Sequence, residues 1–209
     1  MKKLYTMLLL VISLCTASCS DWLDVSPSNQ VNGDKLFEIG DGYRNALNGI
    51  YLNLGTSSMY GQTMSWGFMD AIAQYYKTDN GSNFIPKTSV YYKSAKFQFE
   101  DSDVKTFISN IWSVSYNNIA NCNNLILNVS EASPSVFKEG EFEKNMIWGE
   151  ALALRAFMHF DLLRLFAPAT ATNPSGSYLP YRDKYEAAVV EKCTVTDFIE
   201  KVLKDLLEA

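Results

Sequence analysis

Residues 66–92 concentrate side chains that are able to hold a sugar. Aromatic ring faces pack against the C–H groups of a pyranose, and carboxylate or amide neighbours exchange hydrogen bonds with its hydroxyl groups. The candidate ligand-binding residues of this segment are Trp66, Asp70, Tyr75, Tyr76, Asn83, Tyr91 and Tyr92. The same residue types also serve ordinary core and loop packing, which stays open as the alternative for each residue taken singly.

A group of glutamates invites a catalytic interpretation, because paired carboxylates cleave glycosidic bonds. Its members are Glu139, Glu141, Glu143 and Glu150. Their position around a predicted helix start favours a simpler interpretation, in which they face solvent and interact with the helix dipole. We therefore predict no catalytic residue. A secreted glycoside hydrolase is a third candidate function, after the two that are described at the end of this section.

His159 is the one histidine of the chain. No G-x-S-x-G or similar motif accompanies it, so the sequence does not indicate a serine triad. We expect a structural role for His159, and we expect Arg155 on the same predicted helix to bond a neighbouring segment. No cluster of His and Cys residues has the spacing of a metal site, so we predict no metal and no cofactor.

The first residues have the pattern of an export signal. Lys2 and Lys3 precede a short apolar run over residues 7–14, which is too short to span a bilayer. Small residues at 16–18 then lead to Cys19 in the arrangement of a lipobox. We predict a lipoprotein signal peptide over residues 1–18 and lipidation of Cys19, with simple secretion as the alternative.

The composition is that of a folded protein with no affinity for nucleic acid. Hydrophobic residues make up 47% of the 209 residues and charged residues 20%, which excludes a disordered chain. The formal net charge of -5, without basic clusters, argues against a nucleic-acid partner. A disulfide between Cys122 and Cys193 stays open, and two free thiols are the favoured state.

Apolar spacing predicts a mostly α-helical chain. After an extended segment over residues 19–40, helical spacing predicts one helix over 43–54 and a second from about 59 to 76. Residues 77–100 are rich in Gly, Asn, Pro and Tyr, which favours short strands or exposed loops.

Two long helices are predicted next, over about 103–129 and 141–166, in the proportions of a stretched tetratricopeptide unit. Asp101 suits the start of the first helix, and Pro134 and Gly140 separate the two. Thr194 and Asp197 form a capping box that opens a final helix. We expect that helix to expose its apolar face, formed by Phe198, Ile199, Val202, Leu203 and Leu206.

Several of these segments together match the pattern of one known family. The matching patterns are Ser20-Asp21-Trp22-Leu23-Asp24-Val25-x-Pro27, Ala46-Leu47-Asn48-Gly49-Ile50-Tyr51, Trp112-x3-Tyr116-x2-Ile119-x-Asn121-x3-Leu125, Gly149-Glu150-Ala151-x3-Arg155-Ala156-Phe157-x2-Phe160-x-Leu162-Leu163-x-Leu165-Phe166 and Leu179-Pro180-Tyr181. In these patterns the chain resembles the SusD/RagB family of outer-membrane nutrient-binding lipoproteins.

The resemblance implies an all-α fold, in which a tetratricopeptide-like helical repeat scaffold carries irregular loop and short-strand insertions. It implies a lipid-anchored protein on the surface of the outer membrane that binds a glycan or another nutrient without catalysis. Its partner is then a TonB-dependent transporter of the SusC type, over which it sits as a lid. Family members are usually more than twice as long, so residues 41–209 are interpreted as an incomplete, truncated N-terminal helical region.

The alternative function is a tetratricopeptide-type adaptor lipoprotein of the cell envelope. An adaptor of this kind predicts a concave peptide-binding face and no affinity for sugars.

Overall fold

The computed structural model describes residues 33–77 and 85–209. The predicted signal peptide, the predicted lipidation site Cys19 and the candidate ligand residue Asn83 lie outside these ranges. The chain divides into a unit that ends at Leu36 and a unit that runs from Phe37 to Ala209. The described part of the first unit is one helical turn, α1 (Gly33–Leu36). The end of the segment 19–40 is therefore helical, where the sequence predicts extended chain.

The second unit is mostly α-helical. Its helices and strands, in chain order, are α2 (Gly40–Leu54), α3 (Phe68–Ile72), α4 (Val90–Ala95), α5 (Ser102–Glu131), a 3-10 helix (Pro134–Val136), α6 (Glu141–Phe166), β1 (Ser177–Pro180), β2 (Lys192–Thr194) and α7 (Val195–Glu208). The predicted all-α class is confirmed, since the described strands form a single two-stranded sheet of seven residues.

The two long helices begin and end close to where the sequence predicts them. The Asp101 carboxylate caps α5 by accepting hydrogen bonds from the backbone N–H groups of Asp103 and Val104, at 2.9 and 3.4 Å. The 3-10 helix that begins at Pro134 separates α5 from α6. Gly140 precedes α6 with a φ of 59°, in the left-handed region that glycine adopts most easily.

Helix α6 lies between α5 and α7 and is buried on several sides. Its buried apolar residues are Ile147, Ala151, Leu152, Ala156, Met158, Leu162 and Leu163. Small residues bring the neighbouring helices close: a Cβ added at Gly149 would lie 2.5 Å from the carbonyl oxygen of Ala209. The main core of the second unit therefore forms around α6.

A short hairpin leads into α7. Strands β1 and β2 pair antiparallel with Leu179 opposite Cys193. Thr194 ends β2 and caps α7, because its hydroxyl oxygen accepts a hydrogen bond from the backbone N–H of Asp197 at 3.1 Å. The predicted cap is confirmed.

The prediction that α7 exposes its whole apolar face is wrong. Phe198 and Val202 are buried in the main core, where they pack with residues of α6. The large apolar side chains that α7 does expose are Leu203, Leu206 and Leu207. α6 therefore covers Phe198 and Val202, two of the five residues of the face for which the sequence indicated no partner.

The predicted helix from about residue 59 to 76 is also wrong. Residues 55–67 form successive turns, and only Phe68–Ile72 (α3) is an α-helix. Two glycines permit this tight winding: a Cβ at Gly61 would collide with the carbonyl oxygen of Gly55, and one at Gly67 would lie 2.8 Å from that of Gln62. Apolar spacing alone does not reveal such close backbone approaches.

Strands or loops were expected over residues 77–100, and the structure corrects this for 90–95. These residues form helix α4, and the Ser89 hydroxyl caps it by accepting a hydrogen bond from the N–H of Tyr91 at 3.3 Å. A serine directly before a run of aromatic residues is itself a helix-start signal. Tyr91 and Tyr92 therefore lie on a helix.

Candidate functional site

Three of the predicted ligand-binding aromatics are exposed beside α3. The exposed fractions of Trp66, Tyr75 and Tyr76 are 56%, 78% and 38%. The indole N–H of Trp66 donates a hydrogen bond to the carbonyl oxygen of Gly61 at 3.1 Å, which holds the ring against the preceding turns. A large aromatic surface is therefore fixed in position while more than half of it faces solvent.

Tyr76 connects Trp66 with Asp70. Its hydroxyl donates a hydrogen bond to the backbone carbonyl of Trp66 and lies 3.4 Å from a carboxylate oxygen of Asp70. Partial desolvation and the Asp70 carboxylate raise the pKa of Tyr76, so the phenol stays protonated as a donor. We call Trp66, Asp70 and Tyr76 the α3 platform; it combines an aromatic face with a hydrogen-bond acceptor and a phenol hydroxyl.

Gln74 lies between the platform residues Asp70 and Tyr76 and contacts α4. Its φ of 62° lies in the left-handed region, directly after the end of α3. Its side-chain amide donates to the carbonyl oxygen of Ala95 at 2.6 Å and to that of Ala71 at 3.3 Å. The first of these hydrogen bonds joins the end of α3 to the end of α4, and thereby stabilises the segment that carries the platform.

Tyr91 and Tyr92 make other contacts. Tyr91 packs edge-on against Phe107 of α5, with ring centroids 5.8 Å apart, and belongs to a small apolar cluster. The Tyr92 ring lies 5.8 Å from the ammonium nitrogen of Lys96. The structure thus brings together Trp66, Asp70 and Tyr76 but gives Tyr91 a packing role.

A second polar cluster is buried under α7. The Arg155 guanidinium binds the Asp205 carboxylate through two hydrogen bonds of 2.7 Å, and both side chains are about 6% exposed. The Tyr181 hydroxyl donates to the same carboxylate at 2.5 Å. Arg155 also donates to the side chain of Asn123 at 2.8 Å. We call Arg155, Asp205, Tyr181 and Asn123 the buried network; it confirms that Arg155 bonds neighbouring segments.

His159 lies next to this network and is fully buried. Its ring stacks on that of Tyr181, with centroids 3.9 Å apart. Nε2 accepts a hydrogen bond from the backbone N–H of Arg182 at 3.1 Å, so the proton of the neutral ring lies on Nδ1, 3.0 Å from the carbonyl oxygen of Arg155. Burial lowers the pKa of His159 to about 3. Its two ring nitrogens are thus engaged in holding the fold, as predicted.

Two of the four glutamates that invited a hydrolase interpretation, Glu143 and Glu150, are bonded to separate partners. Glu143 accepts hydrogen bonds from the Arg44 guanidinium at 2.8 and 3.1 Å, and these bonds lower its pKa. Glu150 accepts a hydrogen bond from the Tyr51 hydroxyl at 2.9 Å. Both contacts fasten α2 to α6, which is a structural use of the two carboxylates.

The described residues were also compared with the predictions on cysteines, metal sites and membrane-spanning helices. Cys122 and Cys193 are free thiols, and burial raises the pKa of Cys122 to about 12. Over residues 33–77 and 85–209, no group of His, Cys, Asp or Glu is arranged to hold a metal ion. In the same ranges, no helix has the length and apolar character required to cross a bilayer.

Comparison with known proteins gives a family match over most of the chain. A family model named SusD-like and described as starch-binding and associating with the outer membrane matches residues 21–209. No curated protein matches the sequence.

Three solved structures with the same fold come from two Bacteroides species. A protein from Bacteroides vulgatus described as sugar-binding has 24% identity and a TM-score of 0.66, over 81% of this chain and 36% of that one. A SusD-like carbohydrate-binding protein from the same species has 19% identity and a TM-score of 0.57, over 81% and 35%. A SusD homolog from Bacteroides thetaiotaomicron has 15% identity and a TM-score of 0.61, over 85% and 31%. This chain therefore spans about a third of the length of these proteins.

Proposed function

The chain belongs to the SusD-like family, described as starch-binding and associating with the outer membrane, and from this membership we propose that it captures a glycan outside the cell without cleaving it. The α3 platform is the site that we assign to the glycan. The observation that carries the assignment is the exposed Trp66 ring, held by its hydrogen bond to Gly61, on a residue whose backbone carbonyl is bonded to the Tyr76 hydroxyl near Asp70.

The chemistry of the platform fits a sugar ring. The Trp66 face offers an apolar surface to the C–H groups of a pyranose, and its indole N–H is already bonded within the protein. Asp70 accepts hydrogen bonds from sugar hydroxyls, and the Tyr76 phenol offers its oxygen as a further acceptor. Tyr75, with 78% of its surface exposed, extends the proposed site along the chain, and Asn83 stays a candidate from the sequence alone.

The lipid anchor and the transporter partner are part of the same proposal. Cys19 follows an export signal with small residues before it, which supports lipidation and attachment to the outer membrane. The family's association with the outer membrane supports a place at the cell surface. We propose that the protein acts there as a lid and partner of a TonB-dependent, SusC-like transporter.

Calorimetric titration with maltooligosaccharides and a panel of other glycans tests the site. The protein without residues 1–19 is compared with Trp66→Ala, which we expect to lose at least about tenfold in affinity, equal to about 1.4 kcal/mol. Phe142→Ala is the matched control, because Phe142 is 69% exposed and lies near the start of α6. It is about 35 Å along that helix from the end that approaches α3.

Each other outcome of this titration has a definite meaning. Unchanged affinity after Trp66→Ala, Tyr75→Ala and Tyr76→Ala would remove the α3 platform from the assignment. Peptide binding without glycan binding would favour the adaptor function. Release of shortened glycans would favour a hydrolase.

Purification from outer membranes in mild detergent tests the anchor and the partner. We expect a large barrel transporter to elute with the protein. We expect Cys19→Ser to leave the membrane fraction and to incorporate no labelled fatty acid. Elution without any barrel protein would remove the transporter from the proposal.

A further inference from the structure

An apolar cleft of about 180 Å³ opens on the side of α3 that faces away from Asp70. Phe68 and Ile72 line it and are four residues apart, so they share one face of the helix, whereas Asp70 lies on the opposite face. Ile108 and Ile111 of α5 and the last two residues of α6 form the other walls. The α3 platform and this cleft therefore use opposite sides of the same short helix.

The lining restricts what the cleft is able to bind. Its seven lining side chains are all apolar, and three of them are phenylalanines. Sugar hydroxyls or a peptide backbone placed among them would lose hydrogen bonds to water without replacement. A cavity of about 150 Å³ with Leu, Ile and Phe walls in another protein holds one benzene ring. We propose that the cleft binds a single aromatic ring, at a site separate from the α3 platform.

Two exposed aromatic rings, Phe97 and Phe99, lie beside the cleft. Phe97 has a φ of 55° because it ends α4: its N–H bonds to the carbonyl oxygen of Ser94, and the N–H of Gln98 bonds to that of Lys93. Its ring is exposed and meets the ring of Phe99 edge-on, with centroids 5.9 Å apart. Phe99 in turn lines the cleft. The end of α4 thus places an exposed aromatic pair beside the cleft, in the edge-on arrangement that aromatic rings prefer with one another.

The ring has two sources with the same chemistry: a free aromatic molecule, or an aromatic substituent of a glycan. The second source rests on the proposed function, because the sugar then lies on the α3 platform. An α-helix with its side chains is about 10 Å across, which a substituent on a short glycan is able to span. Binding of the ring itself does not depend on glycan binding, so the two proposals fail separately.

NMR of the protein with ¹³C-labelled isoleucine methyl groups tests the cleft directly, with phenol as the probe. We expect saturable shifts of the Ile72, Ile108 and Ile111 methyl groups. Ile50 and Ile147, which are buried in the main core, should not shift. Uniform shifts of all five methyl groups, or the absence of saturation up to the solubility of phenol, would overturn the proposal.

A variant that fills the cleft adds a second readout. We expect Ile108→Phe to lower the affinity for phenol at least tenfold and to leave maltooligosaccharide binding unchanged. Ile126→Phe is the matched control, since Ile126 is equally half-buried on the same helix and packs against the main core. Retained phenol affinity in a folded Ile108→Phe protein would overturn the proposal. So would nuclear Overhauser contacts showing that another segment of the protein fills the cleft.

Phenyl maltoside and methyl maltoside distinguish the two sources of the ring. Binding of phenyl maltoside at least tenfold tighter than either phenol or methyl maltoside supports a ring carried by the glycan. Phenyl maltoside that binds no tighter than phenol, with shifts of the same three methyl groups, supports a free aromatic molecule. Loss of methyl maltoside binding in Trp66→Ala reports on the α3 platform alone.

Discussion

The α3 platform and the buried network differ in how completely the protein itself satisfies their polar groups. In the buried network, Arg155 and Asp205 form a two-point ion pair, and Tyr181 and Asn123 add further hydrogen bonds to it. On the platform, the Asp70 carboxylate receives a 3.4 Å contact from Tyr76, and the Trp66 side chain is more than half exposed. Polar groups saturated inside the fold stabilise it, whereas those with remaining bonding capacity at the surface are available to a ligand.

The two regions also differ in the distances along the chain that they join. Arg155 on α6 reaches Asp205 on α7, Asn123 on α5 and the carbonyl oxygen of Asp183 after β1. The platform residues lie within eleven positions of one another, on a single stretch of turns around α3. We therefore expect changes in the buried network to act on the whole fold and changes on the platform to act locally.

The largest expected effect is that of Arg155→Ala. It leaves the Asp205 carboxylate buried without its cation, which costs about 3–5 kcal/mol of unfolding free energy. Urea denaturation measures this loss. Lys138→Ala is the control, since the Lys138–Asp41 pair is exposed on both sides, and we expect no measurable change from it.

A double variant keeps this test informative where Arg155→Ala does not fold. Arg155→Met combined with Asp205→Leu removes both charges, and we expect it to recover most of the lost stability. An Arg155→Ala protein as stable as Lys138→Ala would contradict the distinction between the two regions.

The next effect in size is the acid sensitivity that His159 gives to the fold. Its pKa is lowered from 6.5 to about 3 by burial, so below pH 6.5 the unfolded chain binds a proton that the folded chain does not. The stabilisation is complete above pH 6.5 and decreases by about 1.4 kcal/mol per pH unit as the pH falls toward 3. We expect His159→Gln to flatten this dependence in urea titrations at several pH values. Carboxylates titrate in both proteins, so parallel curves would show that His159 does not contribute.

The long helices were predictable because local signals mark their ends. Asp101, Pro134 and Thr194 each act within three residues of the boundary that they define. The turns over residues 55–67 were not, because their hydrogen bonds skip the helical spacing: the N–H of Tyr60 bonds to the carbonyl oxygen of Leu54, and that of Thr63 to Ser57. The spacing of apolar residues in these turns matches that of an α-helix, so the sequence predicted a helix that begins at about residue 59.

The candidate site was predictable in part for a related reason. Trp66, Asp70 and Tyr76 lie close in sequence, and short turns keep them close in space. Tyr91 was grouped with them on the expectation of short strands or exposed loops, whereas it lies on helix α4 and its ring packs against Phe107. The pairing of Arg155 with Asp205 spans 50 residues, and no local pattern names the partner of a buried arginine across that separation.

A smaller effect is expected at Gln74, which joins the ends of α3 and α4. Gln74→Ala loses the hydrogen bond to Ala95 and keeps the unfavourable positive φ, so we expect a loss of about 1–2 kcal/mol. Gln74→Gly loses the same bond but adopts that φ freely, and it should be the more stable of the two by about 1 kcal/mol. Thermal unfolding compares them. Equal stability of the two variants would show that the backbone conformation carries no cost at this position.

The smallest expected effect is that of Tyr76→Phe, which separates the platform's ring surface from its hydrogen bonding. The variant keeps the aromatic ring and removes the hydroxyl that donates to the Trp66 carbonyl and approaches Asp70. Loss of one hydrogen bond is worth about 1 kcal/mol, so we expect glycan affinity to fall about three- to sixfold.

Tyr75→Phe is its control, because the two tyrosines are neighbours and Tyr75 is the more exposed. If Trp66 must be held in place to bind a glycan, calorimetric titration will show a loss for Tyr76→Phe that exceeds the loss for Tyr75→Phe. An equal loss in both variants would mean that each hydroxyl contacts the glycan directly. In that case the hydrogen bond from Tyr76 to the Trp66 carbonyl would not serve to position Trp66 for binding. The platform would then differ further from the buried network, whose internal hydrogen bonds hold its residues in place.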